Sequence, residues 1–294
     1  MEMKLTERTA RIVINSMHLP GDERVGQAVA MNGALEAVQA WQAGVGPKKL
    51  AERVQFAISE LPKVLTRQTE LEVEFVIPSD ENWPKSLNDL DLARPVGLWV
   101  RGNGELSKWC KNSLAVVGAR AATSYGERIA SELGTLAADN EQVVISGAAY
   151  GIDAAAHRGS LVANGHTIAV LACGVDVAYP SAHQGLLERI SKSGSIISEA
   201  PLGAPPHKQH FLIRNRLIAA LAQQTVVVEA ALRSGAVSTA NWANALGRKV
   251  WGVPGPITSA SSAGVHREIA LGQAMLLMSP ESIFQIQNYE NVHS

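Results

Sequence analysis

From Ser113 onward the sequence alternates between short, largely apolar β-rich runs and helical stretches. The runs are Leu114–Val117, Val143–Ile145, Ile168–Leu171, Ser195–Ile197, Val226–Val228 and Val250–Val253. A strand with one wet face alternates apolar and polar residues, whereas runs without that alternation are covered on both faces. Strands of this kind separated by helices predict a mostly parallel sheet with right-handed crossovers and helices on both faces. This is an extended Rossmann-like α/β architecture.

Upstream the pattern differs. Val73, Phe75 and Ile77 alternate with Glu72 and Glu74, and Leu98–Val100 is a second short run; both are expected to add on to the main sheet. Residues 1–70 read as helical, with Ala34, Leu35, Val38 and Trp41, then Leu50, Val54, Ala57 and Ile58, at helical spacing. Gly44-Val45-Gly46-Pro47 is a stop-and-start signal in which Pro47 opens the next helix. A helix–turn–helix of this length also has the form of a helix-hairpin-helix unit, but a single hairpin favours a plain connection. The expected organisation is a small helical N-terminal domain over 1–70 (SAM-like or helix-hairpin-helix-like), an extended Rossmann-like domain over 71–285, and a polar tail over 286–294.

With 294 residues the chain can bury one sizeable core and a smaller second one. Its net charge of -1 gives no whole-molecule attraction to polyanions, so a nucleic-acid site has to be a local patch. Cys110 and Cys173 stand far apart with no CxxC and no metal-ligand spacing, which fits a reducing compartment and predicts no metal site. The start, MEMKLTERTA, has no apolar signal region, and the apolar stretch Phe211–Leu232 is broken by Arg214, Arg216 and Glu229. A cytoplasmic protein with no membrane partner is expected.

Ligands of open parallel sheets bind beyond the carboxyl ends of the strands. Four of the runs end in small-residue turns: Gly118-Ala119-Arg120, Ser146-Gly147-Ala148-Ala149-Tyr150-Gly151, Ala172-Cys173-Gly174, and Ser234-Gly235-Ala236 after Glu229. Such turns let backbone N–H groups approach an anion, although any one of them is equally a plain tight turn. Four on one edge, with an arginine in the first, point to an anion site. No GxGxxG follows the first run and no P-loop is present, which argues against NAD, FAD and ATP hydrolysis, and no cofactor is expected.

The sharpest local feature is Pro205–Arg216. No acidic residue lies between Glu199 and Glu229, while Lys208, Arg214 and Arg216 mix with Phe211, His207 and His210. Cations that track a backbone beside a ring that stacks a base are the ingredients of a single-strand site. Arg214 and Arg216 are roughly 200° apart on a helical wheel, so one of them is expected to be structural. Asp153 and His157 could form an acid–base pair one turn apart, but a capping Asp and a locally bonded His are commoner there. No catalytic constellation is signalled.

These residues resemble the DNA-processing protein A family (DprA, also called Smf). The similarity runs through VGARAATSYG (117–126), SGAAYGIDAAAH (146–157), IAVLACGVDVAYP (168–180), SEAPLG (198–203), FLIRNRLIAALA (211–222) and VVVEAALRSGAVSTANWANALGRKVWGVPG (226–255). The resemblance implies a non-enzymatic protein that binds single-stranded DNA, forms a homodimer and loads RecA recombinase in natural transformation or related recombination. Carried over by position, Arg120, Lys208 and Phe211 are the main DNA-contact candidates. Gly147, Gly151, Arg214 and Asn215 are secondary ones. Cys173 stands where many members have glycine and His266 where they tend to have asparagine. The winged-helix module of some members is expected to be missing. Two alternatives stay open. One is a phosphoribohydrolase-like nucleotide enzyme on the same topology, although its PGGxGTxxE motif is not matched at Val228–Ala236. The other is a sensor of a small nucleotide signal.

Overall fold

The computed structural model describes residues 4–284, and the expected tail at 286–294 lies outside them. The strands are β1 (Glu74–Val76), β2 (Leu98–Gly102), β3 (Ser113–Val117), β4 (Val143–Ser146), β5 (Thr167–Leu171), β6 (Ser195–Ser198), β7 (Gln224–Val227), β8 (Lys249–Gly252) and β9 (Met275–Leu276). Among the described residues they form one sheet in the order β1-β2-β6-β5-β4-β3-β7-β8-β9. β1–β2 and β2–β6 pair antiparallel, and every other neighbouring pair is parallel. The α/β fold with a mostly parallel sheet is as the runs require, and Val73–Ile77 and Leu98–Val100 do extend it at one edge. β9, at the other edge, has no signature in the sequence, because two residues are too few to show a period.

Alternation within each strand decides which helices cover which face. Ala115, Val117, Val143, Ile145, Ile168, Val170 and Val227 pack on one side, with the inner faces of α9 (Lys208–Leu221) and α10 (Gly235–Ala245). Leu114, Val116, Val144 and Val226 point to the other side, where α6 (Ser124–Asp139) and α7 (Ile152–Val162) lie. Further along that side Ala169, Leu171 and Ile196 meet α8 (Gln184–Ser193). Three successive crossovers thus lie on one face before α9 carries the chain to the opposite face and to β7. The strand order reverses between β3 and β7, where a doubly wound sheet opens its ligand crevice.

The N-terminal helices are α1 (Glu7–Ser16), α2 (Glu23–Asn32), α3 (Ala34–Gln42) and α4 (Lys48–Glu70). Thr6 caps α1 in a capping box with Thr9, and Pro47 precedes α4 after Gly44 and Gly46, both at positive φ. Their apolar residues, including Val38, Trp41, Val54 and Leu61, share one cluster with Phe75, Trp99, Leu171 and Ile196 of the sheet. The buried Trp99 indole donates to Asn15 Oδ1 at 2.8 Å, and Asn15 Nδ2 donates to the Glu199 carbonyl at 2.6 Å. Arg8 forms a bidentate pair with Asp80 at 2.6 and 2.9 Å. Among the described residues no helix is long and apolar enough to cross a membrane.

Candidate nucleic-acid interface

The β3/β7 crevice holds a cavity of about 180 Å³, lined by residues from four chain segments. Val117, Gly118 and Arg120 come from the end of β3, Ala149 from the turn after β4, Asp153 from the first turn of α7, and Ser234, Gly235 and Ala236 from the start of α10. Phe211, Arg214 and Asn215 come from α9. Phe211, Asn215 and Ile218 recur at helical spacing, which places them on one stripe of α9 over the strand ends.

Arg120 is exposed, and its guanidinium lies over the half-buried Phe211 ring, 4.7 Å from the centroid. Lys208 is exposed on the first turn of α9, three residues before Phe211 and so on the same face, at the rim and not in the cavity wall. These are the three leading sequence candidates. The structure brings Arg120 and Phe211 into contact and leaves Lys208 one turn away.

The remaining candidates build the site from behind. Arg214 is buried and donates through Nη1 to the carbonyls of Gly147 (3.0 Å) and Val170, tying the turn after β4 to β5. Asn215 Nδ2 donates to the Gly235 carbonyl at 3.0 Å and fixes the start of α10. Gly147 has no room for a side chain, since a Cβ there would sit 2.4 Å from Arg214 Nη1. Gly151 has φ +71°, and its Cβ would lie 2.4 Å from the Ala119 carbonyl, against the backbone of the Arg120 turn. Arg216, two residues from Arg214, is equally buried but faces elsewhere, paired with Glu199 at 2.7 and 2.8 Å. The wheel argument therefore resolves with Arg214 at the site and Arg216 as the structural partner.

The expectation that all four turns offer free backbone amides needs correction. At the first, the buried Glu229 carboxylate accepts from Thr123 N (2.9 Å) and Thr123 Oγ1 (2.6 Å), filling the start of α6. At the second, Asp153 Oδ2 accepts from Gly147 N (3.2 Å) and Ala149 N (3.3 Å). At the third, Gly174 N already donates to the Ala204 carbonyl at 3.0 Å. In the first two turns a carboxylate already occupies the place an anionic ligand would take, and in the third a carbonyl holds the amide. The start of α10 is different: its first turn carries no acidic residue, Ser234 caps it, and it lines the cavity. The positive end of that helix and the arginines supply the attraction for an anion.

Electrostatics agree. Burial, with the nearby Arg120 charge, pushes the Arg214 guanidinium down to about 10, against the pull of Asp153. Burial raises the Asp153 carboxyl, opposed by Arg214 and by its amide donors. Arg214 Nε is buried without a hydrogen-bond partner. Two arginines that disfavour each other beside one carboxylate leave the cavity with surplus positive charge, which a phosphate would relieve. Asp153 and His157 are not an acid–base pair: His157 is fully buried, its Nδ1 lies 2.6 Å from Thr167 Oγ1, and burial drives it down to about 3.

The sequence and the fold that assemble this cavity are matched in known proteins. The sequence profile described as DNA recombination-mediator protein A matches residues 74–288. The chain belongs to the DNA recombination-mediator protein A family. A DprA relative from Mycobacterium tuberculosis is 45% identical over 218 residues, covering 71% of this chain and 56% of its own length. The chain therefore spans little more than half of that mycobacterial family member. Protein Smf of Escherichia coli is 36% identical over 272 residues, with 91% of this chain and 71% of that protein covered. In solved structures the fold matches DNA processing protein A from Streptococcus pneumoniae with a TM-score of 0.76 at 30% identity, over 96% of this chain and 98% of that one. It also matches DNA processing protein A from Helicobacter pylori, whose structure is described as showing a single-stranded DNA binding mode. That match has a TM-score of 0.66 at 27% identity and covers 76% of this chain and 98% of that one.

Within the family frame, the residue that sequence reasoning missed is Glu229, the carboxylate that fills the start of α6. Glu229 was visible as an acid directly after an apolar run, but its partner Thr123 lies 106 positions away. No local signal links them.

Proposed function

We propose that this chain binds single-stranded DNA at the β3/β7 cavity and acts in the cytoplasm as a recombination mediator. It holds the strand as a homodimer, protects it and loads RecA recombinase, as the family resemblance implies. The observation that carries single-strand binding is the Arg120 guanidinium stacked on Phe211 at the mouth of a cavity backed by Arg214. Arg120 and Lys208 meet phosphates, and the Phe211 ring meets a base that a duplex would keep stacked and out of reach. The family member from Helicobacter pylori, described as binding single strands, supports the same assignment.

Glu229 bears on the nucleotide-enzyme alternative. Its carboxylate is bound to Thr123 and does not line the cavity, so it is badly placed to act on a glycosidic bond there. Binding without bond-making fits the site better.

Fluorescence anisotropy with oligo-dT and with a duplex of equal length, across a salt series, tests the proposal. Single strands are expected to bind more tightly, with affinity falling steeply as salt displaces phosphate contacts. Equal affinity for both, or none for either, overturns it.

A further inference from the structure

Between β5 and α8 the chain leaves the sheet edge in a loop held from several sides. Gly174 N donates to the Ala204 carbonyl at 3.0 Å and Val177 N to the Gly174 carbonyl at 2.9 Å. Asp176, its side chain only 3% exposed, accepts from Gly203 N and from Arg67 of α4, at 2.5 Å for Nη2 and 2.9 Å for Nε. This pinned loop presents Tyr179, 36% of whose surface stays open to solvent. The Tyr179 ring leans on Phe211, with centroids 5.4 Å apart and planes tilted by 49°.

Arg120, Phe211 and Tyr179 thus form a continuous series of guanidinium, ring and ring, running from the end of β3 towards the end of β5. Tyr179 does not line the cavity, so it stands outside the wall that Phe211 helps to form. An aromatic side chain left partly exposed on a pinned loop, against a half-buried ring that itself carries a cation, is the composition of a platform for unpaired bases. We propose that Tyr179 is a further nucleobase-stacking residue, which takes the base next to the one on Phe211. The proposal rests on the single-strand function above and adds a base contact on the β5 side of the site.

Stacking through the ring makes a prediction that a merely structural or electrostatic role does not. Anisotropy would be measured for the wild type, Tyr179→Ala, Tyr179→Phe and Tyr179→Trp, with oligo-dT and with an abasic oligonucleotide of the same length. Tyr179→Ala is expected to weaken oligo-dT binding about tenfold and to leave abasic binding unchanged, with Phe and Trp restoring the wild-type value. Wild-type affinity of Tyr179→Ala for oligo-dT overturns the proposal. So does an equal loss on both oligonucleotides, which would mean a disturbed loop, or failure of Tyr179→Phe to restore binding, which would mean the hydroxyl matters and not the ring. If the wild type binds neither oligonucleotide, the single-strand function itself fails.

Discussion

Arg120 and Arg214 carry the same charge beside the same cavity, yet their burial assigns them different work. Arg120 is exposed, and its contact is the Phe211 ring, worth about 0.5–1 kcal/mol at such a site. Arg214 is buried and satisfies two backbone carbonyls while offsetting the Asp153 charge. Arg120→Ala should therefore change urea-unfolding stability by no more than about 1 kcal/mol while weakening DNA binding and flattening its salt slope by roughly one unit. Arg214→Ala should cost about 3 kcal/mol of stability, because it strands buried carbonyls and a buried carboxylate. Urea unfolding and anisotropy on the same two variants check the contrast; a stable Arg214→Ala protein would show that its guanidinium does not hold the turns together. At this scale the sequence was only partly legible. The positions Arg120, Phe211 and Arg214 could be read from local motifs. The division of labour could not, since it depends on how deeply each side chain is buried once α9 packs against the turn after β3.

The start of α9 is also where the N-terminal helices meet the helix that lines the cavity. His18, just after α1, packs against His210 with ring centroids 4.2 Å apart and planes tilted by 55°, and His207 lies edge-on to His210 at 5.2 Å. Arg53 of α4 donates to the Met17 carbonyl beside them, and the Glu199 carboxylate, paired with Arg216, lies close by. Burial, then the neighbouring His210, His207 and Arg53, hold His18 down at about 4. Burial likewise lowers His210. A folded-state value below the ordinary 6.5 means that the folded form binds fewer protons than the unfolded chain. The contribution is complete above about pH 6.5 and is lost as pH falls towards 4. Urea midpoints should accordingly drop between about pH 7 and pH 5, and His18→Asn should reduce that dependence. Identical pH profiles for the two proteins would remove His18 from the contact. Buried His157, held down at about 3, adds a dependence of the same sign that both proteins share.

Across the whole molecule, legibility follows from how many neighbours decide each feature. The central strands could be read because burial on both faces removes alternation from the sequence itself, but not the reversal between β3 and β7, which is decided by which face α9 packs on. The helices of residues 7–70 could be read from their period, but not the way their apolar cluster runs on into Trp99 and Ile196, because that contact joins distant segments. Nor could the filling of the first turn by Glu229 be seen, because it joins distant segments, and so that turn counted towards the anion site as fully as the others. What remains is a smaller and more definite site: α10's start, Arg120, Arg214 and Phe211, with Lys208 at the rim. Photocrosslinking of an oligonucleotide carrying 5-iododeoxyuridine, followed by mapping of the attached peptides, tests whether the strand lies there. Crosslinks are expected in the α9 peptide that contains Phe211. Crosslinks confined to α1–α4 or to the β8–β9 edge would contradict the site.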